Sequence, residues 1–196
     1  MKKVIFLDRD GVINKFPGLG GYVTRIKDFH FLPGSRNAIK ILTKKGYIIF
    51  VISNQAGVSR GVYSKEKLRE ITDHMLKGIA KAGGKIKKVF YCIHKPDENC
   101  ECRKPKIGSI KKAFQLIKKS VKYAKQSFFI GDTQSDIETG HRAGCRTILV
   151  LSGKDDERDA RRWQIRPDYI AKNLLEAIQI VEKQNSNHPR LRRSRT

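Results

Sequence analysis

Short apolar runs alternate with longer amphipathic stretches along this chain. The runs at 3–7 (Lys-Val-Ile-Phe-Leu), 47–52 (Tyr-Ile-Ile-Phe-Val-Ile), 127–130 (Ser-Phe-Phe-Ile) and 147–151 (Thr-Ile-Leu-Val-Leu) each stop at polar residues. Continuous apolar runs of this length suit strands buried on both faces of a parallel sheet. A fifth run, 86–91, is weakened by its lysines. Between the runs lie helical patterns at 34–45, 64–81, 107–125, 135–143 and 173–184. Gly46 follows the first as a favoured helix-ending residue, and Ser64 opens the second as an N-cap. In 107–125, Ile110, Ala113, Phe114, Ile117 and Val121 form one stripe. Strands alternating with helices predict a doubly wound α/β fold with a mostly parallel sheet. Residues 154–168 mix charges and read as a surface helix or loop. Residues 185–196 show no apolar periodicity and contain four Arg, so the pattern predicts one domain over 1–184 and a frayed basic tail.

Composition narrows the class. Hydrophobic residues make up 39% of 196, which excludes wholesale disorder. No stretch approaches the ~18 consecutive apolar residues of a membrane span. The first apolar run meets Asp8-Arg9-Asp10 after four residues, too soon for a signal-peptide core. A soluble, cytoplasmic protein, expected to be a monomer, is the resulting expectation. The charge, 42 Lys+Arg against 19 Asp+Glu for a net +23, invites a nucleic-acid partner. Its distribution argues otherwise. Residues 103–125 hold nine Lys/Arg and no acid, and six of them (Lys111, Lys112, Lys118, Lys119, Lys122, Lys125) fall on the outer faces of the predicted helix. The single Trp163 and scattered Tyr and Phe offer no platform for stacked bases. Most of the excess reads as solvated surface.

Three of the four cysteines fall within eleven residues, as Cys92-x-His94-x5-Cys100-x-Cys102. A disulfide framework would spread its cysteines across the chain. Three thiolates and one imidazole complete a tetrahedral shell for Zn2+, with no open position, so the pattern points to a structural site. The alternative is three unrelated cysteines and a surface His. Pro96 and Asn99 supply turn chemistry for the loop. Cys145 reads as a small buried residue.

Four polar features fall at predicted strand ends, where ligands bind in such folds. Asp8-Arg9-Asp10-Gly11 places two carboxylates on one side of a sharp turn, suited to a nucleophile and an acid/base pair. By itself it also fits a polar turn or a calcium-like loop. Ser53-Asn54 offers a hydroxyl and an amide for phosphate oxygens, or is an ordinary loop. Arg103 and Lys104 precede a helix whose dipole disfavours cations, so they call for an anionic partner or are a solvated basic loop. In Gly131-Asp132-Thr133-Gln134-Ser135-Asp136, Asp132 stands where it can share an octahedral Mg2+ with Asp8, while Asp136 fits either a helix cap or a loop brace. Acid pair, hydroxyl, cation and metal carboxylate together are what phosphoryl transfer to an aspartate requires.

These residues carry a resemblance. Phe6-Leu7-Asp8-Arg9-Asp10-Gly11-Val12-Ile13-Asn14, Ser53-Asn54-Gln55, Lys104 and Gly131-Asp132 are similar in order, spacing and context to motifs I to IV of the haloacid dehalogenase (HAD) superfamily of phosphatases, across about residues 3–182. The resemblance implies a HAD-like Rossmannoid fold with no large cap domain. It implies Asp8 as nucleophile, Asp10 as general acid/base, and Mg2+ on Asp8, the Asp10 carbonyl and Asp132. It further implies Ser53 and Lys104 on the phosphoryl group, with Asn54, Gln55 and Arg103 helping to hold substrate. The Cys-x-His…Cys-x-Cys-Arg-Lys-Pro segment resembles the zinc-containing group whose members act on heptose bisphosphate or histidinol phosphate. Asn54-Gln55-Ala56-Gly57-Val58-Ser59-Arg60-Gly61 and Gly21-Tyr22-Val23 resemble the heptose branch, which implies a small sugar bisphosphate as substrate. Histidinol phosphate is the alternative. A nucleic-acid 3′-end phosphatase or a non-enzymatic basic protein ranks below both. Val12 departs from the family's common Thr, and Thr133 from its frequent Lys.

Overall fold

Six strands, β1 (Val4–Leu7), β2 (Ile48–Asn54), β3 (Lys88–Cys92), β4 (Phe128–Gly131), β5 (Arg146–Val150) and β6 (Tyr169–Ala171), form one parallel sheet in the order β3-β2-β1-β4-β5-β6. This computed structural model describes residues 3–186. The apolar runs are continuous because both faces of the sheet are covered. Ile5 and Leu7 of β1 pack to one side with Ile49, Val51, Phe128 and Ile130. Val4 and Phe6 pack to the other with Phe50, Ile52 and Phe129.

On the first face lie α1 (Ser35–Lys44) and α2 (Lys65–Lys81), presenting Ala38, Ile39, Leu42, Ile71, Met75 and Ile79. The other face is covered by α3 (Gly108–Leu116), through Ile110, Ala113 and Phe114. There α4 (Gln134–Ala143) and the short α5 (Glu157–Arg162) add Ile137 and Ala160 against Leu149 of β5. The last helix, α6 (Leu174–Ser186), returns to the first face beside α1. Ser64 caps α2 by accepting from Lys67 N at 3.1 Å, as its position predicts.

Three details differ from the pattern. The helix predicted over 107–125 is broken. α3 ends at Leu116, Lys118 takes a left-handed φ of 54°, and a separate 3-10 turn, Val121–Gln126, follows with Ser120 as its cap. Ile117 and Val121 still pack on the same core, so the apolar spacing runs through the break without marking it. The six lysines therefore ride on α3, the break and the turn rather than on one helix. Second, β6 escapes the pattern because it has only three residues and lies at the sheet edge, fixed by Asp168 accepting from Thr147 N at 2.7 Å. Third, α6 runs two residues past the expected boundary of the tail, whose remainder, 187–196, lies outside the described residues.

The chain leaves β1 for β2 and β3 on one side, then returns to β4 on the other. The strand order therefore reverses beside β1, and the carboxyl ends of β1 and β4 open the crevice where such sheets bind ligands.

Candidate active site

Asp8 directly follows β1 and Asp132 directly follows β4, so the switch point sets them side by side. Their carboxylates and that of Asp136 each bring one oxygen within 4.8 Å of the other two. All three residues are buried. Gly11 is required twice over: its φ is +78°, and a Cβ there would stand 2.1 Å from Asp132 Oδ2. Asp132 Oδ2 accepts from Lys154 N at 2.8 Å, while its Oδ1 has no hydrogen-bond partner.

The buried Lys104 ammonium lies 2.9 Å from Asp8 Oδ1 and 2.5 Å from Asp136 Oδ1. The Asp8 oxygen lacks hydrogen-bond alignment even at that distance. Burial pushes the Asp8 carboxyl up to about 6 against the pull of Lys104. Burial, reinforced by Asp8 and Asp136, holds Asp132 well above the usual carboxylate range. Burial alone would lower Lys104, but Asp136 and Asp8 outweigh it and raise it. Three buried carboxyl groups face one ammonium, so full ionisation, which a bound cation would favour, leaves two negative charges uncompensated in a dry site. A divalent cation fits both that charge and the oxygen donors left without partners. Asp136 meets both of its sequence alternatives: it braces Lys104, and it caps α4 by accepting from Thr133 N at 3.1 Å and Thr133 Oγ1 at 2.7 Å.

The remaining predicted residues surround this cluster. Ser53, buried at the end of β2, accepts from Gln55 Nε2 at 3.3 Å. Asn54 places both ends of its amide on the Lys104 backbone, donating to its O at 3.2 Å and accepting from its N at 3.1 Å. Gln55 donates to Asp10 Oδ2 at 2.8 Å and accepts from Tyr63 Oη at 2.5 Å. Arg103 donates to the His94 carbonyl at 3.3 Å and so ties down the neighbouring loop. The Asp10 carboxylate stands apart from the three-carboxylate group, gripped by Arg9, Asn14 and Gln55.

The cysteine loop adjoins. Cys92 ends β3, and Cys92 Sγ lies 3.5 Å from Cys100 Sγ and 3.7 Å from His94 Nδ1. Cys102 Sγ lies 3.3 Å from His94 Nδ1 and 3.5 Å from Cys100 Sγ. A tetrahedral zinc with Zn–S of about 2.3 Å has ligand-to-ligand edges of roughly 3.5–3.8 Å. The four atoms thus already stand close to a zinc shell, and no disulfide forms among the described residues. Asn99, at φ 45°, turns the chain between the two halves of the set. Cys102 lies two residues before Lys104, so the loop that closes on zinc also delivers the ammonium.

Sequence comparison decides the family. The chain is 38% identical over 183 residues to the D-glycero-alpha-D-manno-heptose-1,7-bisphosphate 7-phosphatase of Campylobacter jejuni, covering 93% of this chain and 98% of that one. The chain belongs to the D-glycero-D-manno-heptose-1,7-bisphosphate 7-phosphatase family. It is therefore a HAD-type phosphoric monoester hydrolase. The Pasteurella multocida beta-anomer enzyme is 32% identical, with coverage of 93% and 98%. A HAD-hydrolase-like family model matches residues 101–177. Among solved structures, the D,D-heptose 1,7-bisphosphate phosphatase from B. bronchiseptica, complexed with magnesium and phosphate, superposes with TM-score 0.83 at 28% identity, covering 93% of this chain and 99% of that one.

Two residues of this phosphatase site carry no specific role in the sequence motifs. Arg9 is fully buried beside Asp10, and Tyr63 holds Gln55. The signal for Arg9 is its place between two aspartates in a turn that follows a wholly buried strand. Tyr63 has none, since an aromatic in a loop is ordinary. Thr133, in place of the family's frequent lysine, spends its hydroxyl on the Asp136 cap. No described helix is long and apolar enough to cross a membrane.

Proposed function

We propose that this chain removes one phosphate from D-glycero-D-manno-heptose 1,7-bisphosphate, leaving the 1-phosphate. The observation that carries the reading is the buried Asp8 carboxylate, held by Lys104 among acids with a charge deficit suited to one divalent cation. Asp8 attacks phosphorus through one carboxylate oxygen. The phosphorus–oxygen bond to the sugar breaks, and the leaving oxygen takes the proton of Asp10 to become the sugar hydroxyl. Asp10, now a carboxylate, takes a proton from water as that water attacks the aspartyl-phosphate. Inorganic phosphate leaves and the Asp8 carboxylate is restored. Lys104 and Ser53 hold the transferring oxygens, Asn54 fixes the Lys104 backbone, and Arg103 stands at the rim. Mg2+, bound by Asp8, Asp132 and the Asp10 carbonyl, supplies neutralisation of the charge on the transferred group. Zn2+, on Cys92, His94, Cys100 and Cys102, supplies rigidity to the loop that carries Lys104.

The relatives at 38% and 40% identity are named for the alpha anomer, those at 31, 32 and 35% for the beta, and one at 33% for neither. We take the alpha anomer as the better substrate on that ground. The same reading takes 1–184 as one domain acting as a cytoplasmic monomer, in keeping with four unpaired cysteines. Phosphate release from both heptose anomers and from histidinol phosphate, with and without Mg2+, tests it. Mg2+-dependent release from heptose bisphosphate above that from histidinol phosphate is expected; the reverse preference would overturn it.

A further inference from the structure

We infer that Arg9 is a positioning residue for the proton-transfer step: it fixes where the Asp10 carboxylate stands relative to the leaving oxygen. The inference rests on the assignment of Asp10 as the acid in the proposed function. Among the described residues, Arg9 is the largest fully buried side chain. Its Nε and Nη2 donate to Asp10 Oδ1 at 3.3 and 3.1 Å, and Nη2 also donates to Oδ2 at 2.9 Å. Asn14 Nδ2 adds a bond to Oδ1 at 2.7 Å, and Gln55 Nε2 one to Oδ2 at 2.8 Å. Both oxygens of Asp10 are thus gripped from three sides.

The grip is itself supported. Tyr63 Oη donates to Gln55 at 2.5 Å. The Arg9 guanidinium lies 5.6 Å from the centre of the Tyr91 ring, whose hydroxyl is 2.9 Å from Thr72 Oγ1. The donors on Asp10 are distinct from the ammonium that holds Asp8, two residues away. Two aspartates on one turn are therefore addressed by separate cations, Lys104 for the nucleophile and Arg9 for the acid.

Stability alone does not account for Arg9. A buried ion pair is often no better than apolar packing of the same volume. Here Nη1 is buried without any hydrogen-bond partner, a further cost. What the guanidinium does supply is a planar, two-point hold on one carboxylate. A general acid held in place matters because small misplacements of a reacting group cost large factors in rate.

The test uses leaving groups. A sugar alkoxide needs the proton from Asp10 as its bond to phosphorus breaks, whereas a nitrophenolate leaves without it. Leaving-group release in the first turnover, before Asp10 is needed as base to hydrolyse the aspartyl-phosphate, is compared on heptose bisphosphate and nitrophenyl phosphate for wild type, Asp10→Asn, Arg9→Met and Arg9→Lys. Asp10→Asn sets the scale, with a loss of about 10²–10⁴-fold on the sugar substrate and a small one on the aryl substrate. Arg9→Met is expected to lose about 10²-fold in the first-turnover rate on the sugar substrate, with its half-saturating concentration and the aryl first-turnover rate within about threefold of wild type. Arg9→Lys keeps the buried cation and loses the two-point hold, so it falls between, and it carries the test if Arg9→Met does not fold. Equal losses on both substrates in the Arg9 variants would reduce Arg9 to scaffold and overturn the inference. Should Asp10→Asn itself lose equally on both, the acid assignment falls and the inference with it.

Discussion

At the scale of single residues, the site gives up stability for chemistry. Burial raises the Asp8 carboxyl from 3.8 to about 6 despite the opposing charge of Lys104. A raised acid stabilises the fold fully below its unfolded value, and that stabilisation is lost as the pH climbs through about 6. Metal-free wild type should therefore lose stability relative to Asp8→Asn between about pH 4 and 7. Thermal unfolding of both in chelator checks this; a wild type that gains over the variant across that window contradicts it. Lys104→Met has the opposite sign. It strips the counter-ion from buried Asp8 and Asp136 and should cost about 3–5 kcal/mol in urea unfolding without Mg2+. An unchanged midpoint would show that the ion pairs carry no such burden. The residues of this site were legible as types and spacings: Asp8 and Asp132 follow strand ends as expected, whereas Lys104 comes from the loop between the cysteines and α3 rather than from a strand end. Their division of labour was not. Asn54 and Gln55 read as substrate-holding residues, and in the fold their amides hold Lys104 and Asp10. An amide's partner depends on which loops meet in space, and spacing along the chain is silent about that.

Elements were read well where burial imposes a period and poorly where it does not. Strands covered on both faces announced themselves as apolar runs. β6, short and at the edge, did not, and β3 was faint because edge strands tolerate lysines such as the exposed Lys88. The break after α3 was invisible because Ile117 and Val121 pack on one core either side of a left-handed Lys118. The cysteine loop was legible outright, since few structures other than a metal site need three thiols and an imidazole so close. It yields a count. Chelation should free the loop and open its three thiols to a disulfide reagent, and leave Cys145 unreacted, because Cys145 stays enclosed in the apolar core with Phe6, Phe114 and Phe129. Four thiols should appear only on unfolding. Activity lost with the three should return with Zn2+ but not with Mg2+ alone, because the loop delivers Lys104. A fast fourth thiol in the folded protein, or full activity after zinc removal, would contradict the assignment.

For the whole molecule, the sheet is both scaffold and aligner. Phe6 at its centre lies 5.8 Å from Phe50, 6.1 Å from Phe129 and 5.6 Å from Phe114, joining three strands to α3. Phe6→Ala should cost about 3–5 kcal/mol, read by denaturant unfolding. It lies two residues from Asp8, so any surviving fold should also lose activity. The net charge of +23 was the most conspicuous feature of the composition and the least informative about the site. Of that excess, the site uses the two buried cations: Arg9 on Asp10, and Lys104 between Asp8 and Asp136. The central claim is that this fold brings Asp8 to phosphorus as the nucleophile. The most direct test is phosphate release from heptose 1,7-bisphosphate by Asp8→Asn, with its fold checked by circular dichroism. A folded variant with turnover down by at least ~10³-fold is predicted. A folded variant that still releases phosphate near the wild-type rate, with wild-type contamination excluded, would contradict the account.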